Sequence, residues 1–305
     1  MSQKNWDLTG CLIPIITPFT GDHKLDGDGL RRLTDFLIDQ QGASAIIPCG
    51  TTGESPTLTH EEHTEVIRIV KDQVAGRVPV IAGTGSNSTR EAIELTEAAA
   101  EIGVDGTLQV GPYYNRPSQE GMYRHFKAIA EAVDLPMIIY NIPIRTGRNI
   151  EPETIIRLSE IDNIVGLKDA SGDILQGMAI LRSTRGTGFH VYAGEDALTF
   201  SLLCLGGHGA VAAIGHVLGR EVRCMVELVH GGRVEEAREI HYRIMPAIKA
   251  LFVEPNPAAF KQALKWMGQP AGPVRPPLVD MSPKGQEVLK VALIELGKIN
   301  TEALA

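Results

Sequence analysis

Eight times between residues 12 and 214, a short apolar run is followed by a stretch that carries apolar residues at helical spacing. The runs fall at 12–16, 45–49, 78–82, 106–110, 137–140, 164–167, 190–193 and 209–214. Each is bounded by turn formers and too short for a helix, so it reads as a buried strand. The intervening stretches, among them 30–38, 60–74, 89–102, 119–133 and 153–161, read as amphipathic helices, with Thr59 and Ser88 standing where N-caps belong. Strict alternation of strand and helix requires a parallel sheet. Eight right-handed units close most simply into a (β/α)8 barrel rather than an open doubly wound sheet, and residues 1–230 fit it. After Gly231-Gly232 the pattern changes: 234–251, 258–267 and 283–296 read as helices with no strand between them. Residues 231–305 are therefore expected to form a C-terminal helical domain, its proline-rich link 270–277 crossing the barrel surface in extended form.

Composition narrows the function classes. The formal net charge is −8 and no Lys/Arg cluster breaks the mixed-sign pattern, which argues against a nucleic-acid partner. No apolar run approaches the ~18 residues that span a bilayer, and residues 1–7 lack a targeting h-region, so a cytoplasmic protein without membrane contact is expected. The four cysteines are far apart with no CxxC pair, and read as small core residues rather than a zinc site or disulfide framework. His60-Glu61-Glu62-His63 lacks the HExxH spacing of zinc proteases and reads as a solvated helix start; no metal site is expected. Gly83-Thr84-Gly85 is only part of a dinucleotide fingerprint, since Ser88 stands where the third glycine belongs.

In a barrel of parallel strands, chemistry collects just past the strands' C-terminal ends. Lys168 closes the apolar run 164–167, and partial desolvation there would lower its pKa toward that of a Schiff-base nucleophile. The same position also suits a lysine that snorkels to solvent. GTTGES at 50–55 offers two threonine hydroxyls and free backbone N–H groups in a glycine-permitted turn, which suits a carboxylate; it equally suits a capping turn. Tyr113, Tyr114 and Tyr140 are three of only six tyrosines, and all lie at two strand ends. A phenol bonded to another hydroxyl shuttles protons, although tyrosines also favour half-buried loops. Arg145, two residues past Pro143, fits either a bidentate carboxylate clamp or a surface ion pair.

Taken together, GTTGES at 50–55, GPYYNRPSQEG at 111–121, YNIPIRTG at 140–147 and GLKDASG at 166–172 resemble the dihydrodipicolinate synthase family, which are pyruvate-dependent class I aldolases. The resemblance covers nearly the whole chain, through FVEPNP at 252–257 and VRPPL at 274–278. It implies condensation of pyruvate with L-aspartate 4-semialdehyde, on the route to diaminopimelate and lysine, by a homotetramer that needs no cofactor beyond the covalent imine. Lys168 would form that imine, with Thr52, Gly50 and Val211 around the pyruvate. Tyr140 would transfer protons, linked through Thr51 to Tyr114, which reaches across a dimer contact into the neighbouring subunit's site. Arg145 would grip the second substrate's carboxylate. Ser55, His60, His63, Asn87, Glu91 and Tyr113 fall where lysine-sensitive members carry a feedback site for L-lysine. One departure is GAVAA at 209–213, where the family more often has a GVISV-like strand; smaller side chains there leave the choice of second substrate open. The related alternatives are a sialic-acid or 2-keto-3-deoxy sugar-acid lyase using the same lysine. From another class comes a catalytically silent barrel that senses a keto acid.

Overall fold

A computed structural model describes residues 7–300; the N-terminal stretch read for a targeting signal lies almost wholly outside them. Eight strands form, all of them parallel: β1 Gly10–Ile13, β2 Ala45–Ile46, β3 Ile81–Gly83, β4 Gly106–Val110, β5 Met137–Asn141, β6 Ile164–Asp169, β7 His190–Ala193 and β8 Gly209–Val211. The order is β2-β1-β8-β7-β6-β5-β4-β3, and a parallel bridge from Ile46 to Val80 joins the two ends, so the expected (β/α)8 barrel is what the chain builds. The first three strands are offset or shorter than the apolar runs that announce them, because Pro14, Pro48 and Pro79 bring no N–H to the ladder. The chain still tracks the sheet beyond β2, since the Ile47 amide donates to Ile13 O at 2.8 Å and the Gly83 amide to Pro48 O at 2.9 Å.

Alternation along the strands separates two apolar layers. Leu12, Ala45, Ile47, Ile81, Leu108, Ile138 and Val165 fill the barrel interior, while Cys11, Ile13, Ile46, Ile139 and Leu167 face the helices. Both expected helix caps are present: the Thr59 hydroxyl accepts from the Glu62 amide in a full capping box on His60–Val74, and Ser88 accepts from Glu91 on Thr89–Ile102. Of the cysteines only Cys11 and Cys49 are core residues. Cys204 and Cys224 are exposed, because they fall on solvent-facing positions of Thr199–Cys204 and Gly215–His230.

Three further helices, Val234–Leu251, Ala258–Trp266 and Pro283–Glu295, follow the barrel. The link between the last two runs without regular structure, as its prolines require, and lies against the C-terminal mouth of the barrel. The Phe19 amide donates to Ala271 O at 3.3 Å. Arg275 donates to His23 O and Thr57 O and forks onto Glu62 at 2.6 and 2.7 Å. Gly272, at φ +68, is required here, since a Cβ would stand 1.7 Å from Phe19 O.

Candidate active site

Lys168 points into the barrel because of an irregularity in β6. Met137 pairs with Ile164 but Ile138 pairs with Gly166, so one extra residue is inserted. Val165 consequently joins the interior layer and Leu167, two residues on, the outer one; the slip turns Lys168 inward beside Tyr140 and Tyr192. The lysine is 6% exposed, and its Nζ lies 4.1 Å from the centroid of the Tyr140 ring. Burial pulls its pKa down to about 8, with Asp196 opposing that shift and Arg145 adding to it. Gly194, just past β7, makes room for the lysine's stem, since a Cβ there would stand 2.8 Å from Lys168 Cγ.

Tyr140 lies at the mouth end of β5, buried and hydrogen-bonded to Thr51. Burial pushes its pKa up to about 12, against the lowering effects of Arg145 and the Thr51 hydrogen bond, so the phenol keeps its proton at neutral pH. Arg145 sits in the short helix Pro143–Thr146, where a rigid turn was expected, and lines the cavity in front of the lysine. The turn after β2 folds back on itself: the amides of Gly53 and Ser55 donate to Gly50 O, and that of Glu54 to Thr51 O. Among the described residues no hydrogen bond uses the amides of Thr51 and Thr52, and both residues line the cavity in front of the lysine.

Lys168, Tyr140, Thr51, Thr52, Arg145, Gly50 and Val211 thus come together around one cavity of about 340 Å³. Tyr114 does not join them within one chain. It is 91% exposed, at φ +67, and projects from the barrel mouth. Among the lining residues that the sequence reading gave no role are Glu195, Asp196, Phe252 and Asn256. Glu195 and Asp196 lie just past β7, beyond Gly194, and obey the strand-end rule. Asp196 is buried, and its pKa rises to about 7 through burial, held back by the Ile214 amide that donates to Oδ2 at 3.3 Å and by Lys168. Phe252 and Asn256 come from the C-terminal extension, inside the FVEPNP stretch that the sequence marks only by resemblance and without a role at the site.

A second cavity, of about 400 Å³, shares Thr51, Ile142 and Arg145 with the first. Ser55, His60, His63, Glu91 and Tyr113 line it. Asn87 does not, though its carbonyl accepts from Asn115 Nδ2 at 2.8 Å. Glu91 accepts from Ser86 Oγ and, at 3.0 Å, from His60 Nε2; these two bonds, Ser86 first, hold its pKa below the usual range. His60 is exposed as a helix-start residue should be. His63 is not, because one turn further on it faces the barrel and donates from Nε2 to Gly83 O at 2.9 Å. Among the described residues no group of three His, Cys, Asp or Glu is placed to hold a metal ion, and no helix is long and apolar enough to cross a membrane.

A family model described as the Dihydrodipicolinate synthetase family matches residues 7–296. The chain belongs to this family. Among its relatives, the 4-hydroxy-tetrahydrodipicolinate synthase of Moorella thermoacetica is 51% identical over 286 residues, covering 94% of this chain and 97% of that one. The enzyme of the same name from Pseudomonas aeruginosa is 47% identical over 95% of this chain and 99% of its own length. Among solved structures, the dihydrodipicolinate synthase of Cyanidioschyzon merolae with lysine bound superposes with a TM-score of 0.93 at 47% identity, covering 96% of this chain and 99% of that one. The chloride-inhibited synthase of Acinetobacter baumannii complexed with pyruvate gives 0.92 at 41% identity, over 96% and 100%.

Proposed function

We propose that this chain is a lyase that condenses pyruvate with L-aspartate 4-semialdehyde to 4-hydroxy-tetrahydrodipicolinate through an imine on Lys168. One observation carries the reading: an amine whose pKa lies near 8, buried against a protonated phenol, faces a cavity that also holds a guanidinium and two unused amides. The neutral amine attacks the keto carbon of pyruvate, whose carboxylate rests on the Thr51 and Thr52 amides and the Thr52 hydroxyl. Tyr140 supplies the proton that lets the keto oxygen leave as water. The cationic imine acidifies the methyl group, which loses a proton to give the enamine; this carbon then bonds to the aldehyde carbon of the second substrate while Arg145 holds that substrate's carboxylate. Attack of the substrate's own amine on the imine carbon closes the ring and frees Lys168. The imine is the electron sink, so this reading needs no cofactor.

The same lysine would serve a sugar-acid lyase, but Arg145 on the cavity wall and the synthase name borne by relatives such as that of Moorella thermoacetica favour condensation. Of the departing stretch 209–213, Val211 and Ala213 line the cavity, so the small residues there bear on the choice of second substrate. The structural neighbour complexed with pyruvate supports the first substrate. For regulation, the second cavity supports L-lysine as feedback ligand, with Glu91 exchanging His60 for an ammonium group, as does the neighbour with lysine bound. The exposed Tyr114 supports a homotetramer in which it completes the proton relay of a partner subunit. The cytoplasm is the compartment this reading assumes. The deciding experiment is borohydride trapping with pyruvate followed by peptide mass analysis: a reduced pyruvyl group on Lys168 is expected, and a label elsewhere, or none, overturns the reading.

A further inference from the structure

The carboxylate-binding turn is held from outside the barrel. Asn256, which lies between the helices Val234–Leu251 and Ala258–Trp266, donates from Nδ2 to Thr52 Oγ1 at 3.0 Å and lines the same cavity as Thr52. A hydroxyl whose oxygen already accepts one hydrogen bond must direct its own hydrogen elsewhere. Among the described residues Thr52 has no other side-chain hydrogen bond, so that hydrogen is available only to what enters the cavity.

The approach of Asn256 is itself fixed by a buried ion pair two residues along the same turn. Glu54 stands at φ +55, a conformation that costs a non-glycine residue ~1 to 3 kcal/mol unless its surroundings hold it. Its Oε1 lies 2.6 Å from Lys261 Nζ, and its Oε2 accepts from the Arg275 amide at 2.8 Å. Lys261, 1% exposed, also donates to Pro273 O at 2.7 Å. Glu54 Oε1 has no hydrogen bond of good angle, so the contact to Lys261 is chiefly ionic. Burial pulls Lys261 down to about 8, and the Glu54 carboxylate beside it opposes that shift. The turn and the start of the helix Ala258–Trp266 are thereby locked together, and Asn256, next to the helix start, faces the cavity beside Phe252 and Pro255.

We propose that Asn256 is a positioning residue for the reaction: it commits the Thr52 hydroxyl to donating toward the carboxylate of the keto acid. The proposal rests on the reading of this cavity as a pyruvate site. The direction of one hydrogen bond decides it: Nδ2 of Asn256 meets Thr52, while its Oδ1 is buried with no hydrogen-bond partner among the described residues. With the amide of Asn256 as donor, Thr52 presents a hydrogen to an anion; with an acceptor in that place, Thr52 would present lone pairs and repel it.

The test measures the pyruvate concentration for half-maximal borohydride trapping on full-length protein, with a thermal melt of each variant. Asn256→Ala lets the hydroxyl rotate and is expected to raise that concentration about tenfold, the scale of one hydrogen bond to a charged group. Asn256→Asp keeps the shape but accepts the Thr52 hydrogen and adds a negative charge, and is expected to raise it about a hundredfold. In a Thr52→Val background, Asn256→Ala is expected to add no further loss, because the residue acts through Thr52. Full additivity in that background, or equal shifts for Ala and Asp that follow the fall in melting temperature, would overturn the proposal by showing a purely structural role. If Asn256→Ala does not fold, the isosteric Asn256→Asp in both backgrounds reads the same coupling. The wild-type control separates the two readings: no pyruvate-dependent label on Lys168 removes the proposed function itself, whereas normal labelling with unshifted Asn256 variants removes only this inference.

Discussion

The two cavities at the barrel mouth share a wall yet are built on opposite principles. The one before Lys168 is made of inward-pointing strand-end residues, where burial is the largest influence on every displaced titration: Lys168 down to about 8, Tyr140 up to about 12, Asp196 up to about 7. The one before Glu91 draws His60, His63 and Glu91 from helix starts; burial lowers the His63 pKa, but at Glu91 hydrogen bonding to Ser86 outweighs burial and keeps the carboxylate ionised. Desolvation makes a reactive neutral amine; hydrogen bonds in a wetter site make a stable charge. The first arrangement suits covalent chemistry and the second suits reversible recognition of an ammonium ligand. Thr51, Ile142 and Arg145 line both cavities, so the two sites share a wall of three residues.

The comparison is broken most directly by Lys168→Ala. Turnover in a coupled assay and borohydride labelling are both expected to vanish while the melting temperature is kept or rises, because a desolvated amine contributes nothing to the core it occupies. Residual synthase activity would show that the first cavity does not work through an imine.

Arg145→Ala tests the shared wall. Its loss is expected to cost about 1.5 to 3 kcal/mol, roughly ten- to a hundredfold, in kcat/KM for the aldehyde substrate, since one charge-assisted contact disappears. Trapping of pyruvate should change far less. Equal loss in both assays would assign Arg145 to the first half-reaction.

The pH dependence sharpens the contrast in titration. Lys168 has a lowered pKa, so the neutral nucleophile dominates above about pH 8 and is lost as the pH falls below it. The pseudo-first-order rate of imine trapping at low pyruvate is expected to fall about tenfold per pH unit below that value. A break near pH 10.5 would mean that the amine is solvated after all. Glu91, with its pKa lowered, stays ionised across this range, so any lysine effect should persist through it.

The smallest effect belongs to the second cavity. L-lysine is expected to inhibit partially at saturating pyruvate, and Glu91→Ala to abolish that inhibition in a lysine titration. Inhibition that survives the substitution would move the effector elsewhere.

The barrel was legible because eight buried strands must each be a short apolar run, and because crossovers of strict βα alternation close in one hand. Its boundaries were less so: Pro14, Pro48 and Pro79 trim the ladder where apolarity alone continues. The helix caps at Thr59 and Ser88 were legible because capping is local. His63 misled for the opposite reason, since which face of the helix His60–Val74 meets the barrel is a packing outcome.

Residue type and local spacing by themselves determined the βα order, the lysine at the end of the sixth run, the glycine-rich turn after the second and the tyrosines at two strand ends. Only the tertiary structure decided that the extra residue at 165–166 turns Lys168 inward, that Asp196 loses its water beside it, and that Asn256 meets Thr52 across 204 residues of chain. The physical reason is range. Hydrophobic period and capping act over one or two turns, whereas strand register, desolvation and the direction of a shared hydrogen bond exist only once distant segments have packed together.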